Sequence, residues 1–142
     1  MMVSIAVWGS RTQIQSLGLR YEVLRRPLGL FFDPDDLAAE QNEIHIVASE
    51  NEEVTGVMLL KPLLETELKM RQVAVAMHRQ GCGVGKEMVR FAERWARDHG
   101  FQSISLHARL TAVPFYLTLD YCSLGDEFFE VDIPHVKMRK EL

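Results

Sequence analysis

Residues 80 to 86, Gln-Gly-Cys-Gly-Val-Gly-Lys, place three glycines at alternate positions between an apolar run ending Val73-Ala74-Val75-Ala76 and an amphipathic segment that begins near Val84. Glycine removes the Cβ atoms that keep a large ligand off the backbone. A helix start adds N–H groups with no intrahelical partner, at the positive end of a dipole. The chemistry on offer is the cradling of a diphosphate. Two familiar phosphate loops fit badly. Gln80 and Glu87 stand where a Walker loop has Gly and Ser or Thr. Gly81, Gly83 and Gly85 give G-x-G-x-G rather than the G-x-G-x-x-G of a dinucleotide fold, with no suitable first βαβ unit around them. A glycine-rich turn that merely caps a helix is the alternative.

Other chemical groups occur singly. Of five histidines, His45, His78, His99 and His107 show no metal spacing, so no metal is expected. Cys82 and Cys122 make neither a disulfide framework nor a zinc set. A formal charge of -4 without a dense Lys/Arg run argues against nucleic acid, which is bound through a basic face. No apolar stretch approaches the roughly 18 residues that span a membrane, and Met-Met-Val-Ser-Ile-Ala-Val-Trp has no basic leader or cleavage site. The expectation is a cytoplasmic protein with no membrane or nucleic-acid partner, monomeric or homodimeric. With 142 residues and 47% apolar content, the chain suffices for one well-buried core, so one domain over residues 1–142 is expected.

The elements that must position these groups follow from periodicity. Val3 to Trp8 reads as a strand, Gln13 to about Arg26 as a helix stopped by Pro27 and Gly29, and 28–36 as a loop or short lid carrying Phe31 and Phe32. Ile44 to Ser49 and Val54 to Leu60 read as paired strands, and Glu67 to Ala76 as a strand entering the glycine loop. In the following helix Val84, Met88, Phe91, Ala92 and Trp95 form one apolar stripe, while Lys86, Glu87, Arg90, Glu93, Arg94 and Arg97 are expected to face solvent. Ser103 to His107 reads as a strand, Thr111 to Leu119 as a short helix, and Glu127 to Met138 as closing strands.

The loop Gln80-x-x-Gly83-x-Gly85 after an apolar strand resembles the acyl-coenzyme-A loop of the GCN5-related N-acetyltransferases, and the element order β, α, β, β, β, α, β, α, β matches that family over nearly the whole chain. The resemblance implies an α/β fold with a single mixed sheet flanked by helices and a splayed strand pair holding acyl-coenzyme A. It implies that acetyl-coenzyme A is the cosubstrate, bound by Val73, Ala74 and Val75 on the strand, by Gln80, Gly81, Cys82, Gly83, Val84, Gly85 and Lys86 in the loop, and by Ala112 and Phe115 further on. The family's N-x-x-A-x-x-F-Y pattern is matched by Arg109, Ala112, Phe115 and Tyr116, which makes Tyr116 the expected general acid for the leaving thiolate. A core tyrosine is the alternative.

Arg109 departs from the usual asparagine, and a narrower resemblance accounts for it. Leu19-Arg20-Tyr21-Glu22-Val23-Leu24-Arg25, Leu68-Lys69-Met70-Arg71, His107-Ala108-Arg109 and Pro134-His135-Val136-Lys137-Met138 are similar, in order, to the branch containing glyphosate N-acetyltransferase. That branch implies Arg25, Arg71 and Arg109 as binders of an anionic amino-substrate and His135 as the base. Guanidinium groups pair two-point with carboxylate or phosphate, and three of them converging without an anion would repel. Surface arginines and a core histidine are the alternatives. The expected activity is acetyl transfer to the primary amine of a small anionic metabolite, of amino acid or amino-phosphate type. The rivals are a protein or peptide N-acetyltransferase and a non-catalytic coenzyme-A-binding module.

Overall fold

The computed structural model describes all 142 residues. Seven strands hydrogen-bond in the order β1-β2-β3-β4-β5-β7-β6: β1 Met2–Ala6, β2 Ile44–Glu50, β3 Glu53–Leu64, β4 Glu67–Val75, β5 Ser103–Arg109, β6 Cys122–Glu130 and β7 Ile133–Glu141. The sheet is mixed. β4 and β5 run parallel from Glu67 opposite Ser103 to Met70 opposite Leu106, whereas β1–β2, β2–β3, β5–β7 and β6–β7 are antiparallel. A parallel neighbour needs a crossover, and the helix between β4 and β5 supplies it. No helix is long and apolar enough to cross a membrane.

The chain divides into two compact units, residues 1–61 with 72–92 and residues 62–71 with 93–142. In the first, Ala6, Val47, Val54, Val57, Leu59 and Ala74 form a buried cluster on which Leu19, Val23 and Leu24 pack. Helix α1, Arg11–Arg20, begins where the Ser10 side chain accepts from the Gln13 N–H at 3.2 Å. It runs into a π-helical turn over Tyr21–Arg25 and ends at left-handed Gly29, so the single helix expected to Arg26 is in fact three short pieces. The expected loop over 28–36 is shorter than foreseen. Asp33 caps helix α2, Pro34–Ala39, by accepting from Asp35 N–H at 2.8 Å, with Pro34 in the first turn. The β2–β3 hairpin turns through Asn51 and Glu52, both at positive φ.

In the second unit, alternation along the strands separates two faces. Leu68, Met70, Ile104, Leu106, Ala108, Val136 and Met138 are buried, and the residues between them are mostly polar. Helix α3, Val84–Asp98, belongs to both units. Val84, Met88 and Ala92 on its expected stripe are buried, but so is Glu93, which was expected in solvent. Glu93 accepts from the Tyr121 hydroxyl and from Lys140 Nζ, both at 2.9 Å, and these bonds offset its desolvation. Helix α4, Val113–Leu117, follows a tight turn over Leu110–Ala112 and is shorter than expected.

Candidate functional site

The first unit carries the glycine loop. Gly81 and Gly83 have φ of 77° and 87°, and a Cβ at either would meet nothing within 4 Å. Their conformation alone requires glycine, so a local turn accounts for two of the three; Gly85 lies within α3 and is not left-handed. The first backbone bond into α3 joins Glu87 N–H to Gly83 O at 3.1 Å, which leaves the N–H groups of Val84, Gly85 and Lys86 without intrahelical acceptors. Open space over left-handed glycines and a ring of free donors suit a diphosphate. Gln80 donates its side-chain amide to the Val75 carbonyl at 3.2 Å, which pins the loop to the strand end and engages that carbonyl. Ala74 faces the core, so its neighbours Val73 and Val75 point to the other side of the strand. Cys82 and Lys86 are exposed.

Beneath the loop, β3 approaches α3 closely at Gly56, where an added Cβ would fall 2.8 Å from Val84 Cγ1 and from Met88 Cε. This glycine lets the first turn of α3 settle against the strand. A second device holds the N-terminal helices. Arg20 forms a bidentate pair with Glu40 at 2.8 Å on both arms, with side chains 1% and 3% exposed, and also donates to Gln72 Oε1 at 3.2 Å. Gln72 itself sits in β4 at a φ of 55°. The Arg20 and Arg25 guanidiniums both approach the Phe32 ring, at 4.9 and 5.1 Å from its centroid. Phe32 therefore braces two arginines, while Phe31 is exposed and stacks on Tyr21. Sequence pattern gave no sign that Arg20 is buried, because its partner lies twenty residues away.

The second unit gathers the acceptor-type residues. Arg71 ends that unit's part of β4, on the same alternation as Glu67 and Lys69. On β5, His107 and Arg109 share a face, and the β5–β7 register puts Arg109 opposite His135 and His107 opposite Lys137. His135 is 7% exposed. Its Nδ1 lies 2.7 Å from the Ile133 carbonyl, which can only accept, so Nδ1 carries a proton, and in the neutral ring Nε2 holds the lone pair. Phe128 stacks on His135 and meets His107 edge-on. Glu130, absent from the sequence reading, bonds His107 Nδ1 through one carboxylate oxygen and lies 3.9 Å from His135 Nε2 through the other. The tight Val131–Asp132 turn brings it there.

Tyr116 is buried in α4, edge-on to Phe115 at 5.0 Å and to Tyr121 at 5.8 Å between centroids. Burial pushes its phenol well above the ordinary tyrosine value, so it stays protonated throughout the neutral range. That is the form a general acid needs. Tyr121 is raised for the same reason, and the adjacent Glu93 carboxylate adds to the shift. Ala112 and Phe115 are half-buried in the turn and helix beside Tyr116. Arg25 and the loop belong to the first unit, whereas Arg71, Arg109, Tyr116 and His135 belong to the second.

The profile of the acetyltransferase (GNAT) family matches residues 12–121. The uncharacterized protein YyaT of Bacillus subtilis is 32% identical over 112 residues, 78% of this chain and 74% of that one. The uncharacterized N-acetyltransferase YjcF of the same organism is 30% identical over 103 residues, 72% of this chain and 73% of its own. In three dimensions the chain is similar to an aminoglycoside 6′-N-acetyltransferase complexed with coenzyme A, with a TM-score of 0.82 at 18% identity over 99% of this chain and 97% of that one. The mixed seven-stranded sheet with flanking helices is thus the fold expected from the sequence. On the family match across most of its length, the chain belongs to the GNAT acetyltransferases and is an acyltransferase.

Proposed function

We propose that the chain, as a single acetyltransferase domain, moves an acetyl group from acetyl-coenzyme A directly to the primary amine of a small anionic metabolite of amino acid or amino-phosphate type, in the manner of the glyphosate N-acetyltransferase branch. Acetyl-coenzyme A as cosubstrate supplies an acyl group activated as a thioester. Val73 and Val75, the open loop Gly81–Gly85 and the free N–H groups of Val84, Gly85 and Lys86 are the groups that would hold it. Tyr116, kept protonated by burial, donates to the departing thiolate. His135 accepts the ammonium proton at Nε2, the nitrogen that its Ile133 bond leaves free. Arg25, Arg71 and Arg109 pair with the substrate's carboxylate or phosphate.

One observation carries the choice of an anionic amine: Arg109 lies directly across from His135 in the β5–β7 register, so an anion on the guanidinium would bring its own amine toward the imidazole. A peptide acceptor gives no reason for that juxtaposition. The test is acetyl-coenzyme A turnover across amino acids, phosphonates, amino sugars and peptides, repeated with Arg71→Ala and Arg109→Ala. Each variant is expected to raise KM at least tenfold for anionic amines and to leave KM for uncharged amines within about twofold. Equal effects on both classes would overturn the substrate assignment. Coenzyme binding without turnover of any amine would favour the non-catalytic module.

A further inference from the structure

The proposed reaction leaves two groups of the second unit unused, His107 and Glu130. Glu130 stands at the end of β6, and its carboxylate reaches across β7 to His107 on β5. On the way it passes within 3.9 Å of His135 Nε2. The Phe128 ring, two residues before Glu130, lies against both imidazoles, 4.9 Å from His107 and 6.0 Å from His135 between centroids. One carboxylate therefore serves two histidines, and one aromatic ring keeps their spacing. A carboxylate accepts only, so His107 presents Nδ1–H to it, while the lone-pair nitrogen of neutral His135 is the atom turned toward the same group.

We propose that Glu130 is a positioning residue for His135, a carboxylate shared with His107 that stabilises the imidazolium formed when His135 takes the substrate's proton. This rests on the reading of His135 as the base. In the step itself an ammonium N–H bond breaks, its electron pair stays on the amine nitrogen for attack, and a new N–H bond forms at His135 Nε2. The positive charge thus arrives on the side where Glu130 waits. His107 competes for that carboxylate: once protonated, it draws Glu130 to itself and adds a like charge near His135. The charged and titratable groups on the strands packed here are His107 and Arg109 on β5, Asp126, Glu127 and Glu130 on β6, and Lys137, Arg139, Lys140 and Glu141 on β7 beside His135 itself. The turn Leu110–Ala112, packed on β5 and β7, contributes none. Arg109 and Lys137 both oppose a second positive charge, so the Glu130 carboxylate, 3.9 Å from Nε2, has a large share in what His135 can do.

The two neighbours of His135 are predicted to act in opposite directions, which a packing role would not produce. Glu130 is 43% exposed at a strand end, so Glu130→Gln should fold normally. Imidazole titrations followed by NMR in the intact protein should place the His135 midpoint about half a unit to one unit lower in Glu130→Gln and detectably higher in His107→Asn. The acid limb of kcat/KM for an anionic amine should move the same way in each variant, and kcat/KM at neutral pH should fall about tenfold in Glu130→Gln. Glu130→Asp, which keeps the charge, should recover most of that loss. An unmoved His135 midpoint in both variants, or shifts of the same sign, would overturn the inference whatever the kinetics. A kcat/KM profile that survives His135→Ala unchanged, while the NMR shifts appear as stated, would remove the base and leave the shared carboxylate standing.

Discussion

The glycine loop of the first unit and the polar face of the second carry their chemistry in different materials. In the loop the proposed working groups are backbone amides, placed by two left-handed glycines and by the close approach of α3 to Gly56. On the face the proposed ones are guanidinium and imidazole side chains, placed by strand register. A backbone site depends on what the chain lacks at a few neighbouring positions. A side-chain site depends on residues far apart in sequence arriving at adjacent positions. Support differs accordingly: the first unit leans on a buried ion pair, the second on several buried and half-buried side-chain hydrogen bonds.

The largest effect expected from breaking this contrast lies in the first unit. Arg20→Ala removes the bidentate partner of the buried Glu40 carboxylate and one guanidinium from Phe32, so it should destabilise the protein by about 3–5 kcal/mol in urea titration. Replacing both partners, Arg20→Met with Glu40→Leu, should recover most of that loss, since an apolar pair of similar volume carries no stranded charge. A single variant within about 1 kcal/mol of the wild type would mean that the pair is not what supports the first unit.

The next effect separates chemistry from support within the second unit. Tyr116→Phe keeps the ring contacts with Phe115 and Tyr121 and removes only the proton donor. It should lower kcat about 10²-fold while leaving coenzyme affinity and stability nearly unchanged. Tyr121→Phe should do the reverse. Its hydroxyl bonds buried Glu93, so stability should drop by about 1–3 kcal/mol with little change in kcat. Matching kinetic losses in the two variants would make Tyr116 a packing residue.

What sequence could show follows from the same distinction. The Gln80-x-x-Gly83-x-Gly85 spacing, the stripe of α3 and the succession of strands and helices along the chain are local patterns, and a local pattern is legible without knowing the fold. Arg20, Glu93 and Glu130 were misjudged or passed over because each is defined by a partner 20, 28 or 23 residues away. Nothing in their own neighbourhoods separates them from solvated charges. Helix α2 is a different kind of miss: Asp33-Pro34 is a cap and first-turn signal written in the chain, outweighed there by the acidic, loop-like composition around it.

A milder test bears on how the loop is supported. At Gly56 an added methyl would fall 2.8 Å from Val84 Cγ1, a branched and inflexible neighbour, so Gly56→Ala must push the first turn of α3 away from β3. The expected loss is about 1–3 kcal/mol, and coenzyme affinity should weaken further than that loss explains, because the free amides of Val84, Gly85 and Lys86 move with the helix. Calorimetry on the folded variant decides it; unchanged affinity would show that the loop holds its shape independently of its floor.

The smallest expected effect sharpens the same comparison from the side of the second unit. Arg139 bonds Glu67 at 2.7 Å through Nε, and Ser103 donates to the same carboxylate oxygen at 3.0 Å. The Arg139 bond is the chief reason that Glu67 is held below the usual glutamate range. Desolvation pushes the other way, and the Ser103 bond and the positive charge of Arg139 add to the lowering. A depressed carboxylate contributes stability that is fully present above its unfolded value of about 4.3 and is lost as pH falls through the lower folded value. Arg139→Ala should therefore destabilise by less than about 1 kcal/mol at neutral pH, because the guanidinium is partly solvated, and the variant should unfold in acid at a pH a few tenths higher than the wild type. Below the folded value of Glu67 the two proteins should converge, since protonation has already removed what the substitution removes. A difference that persists undiminished at low pH would assign the loss to packing of the Arg139 stem against the strand rather than to the ion pair.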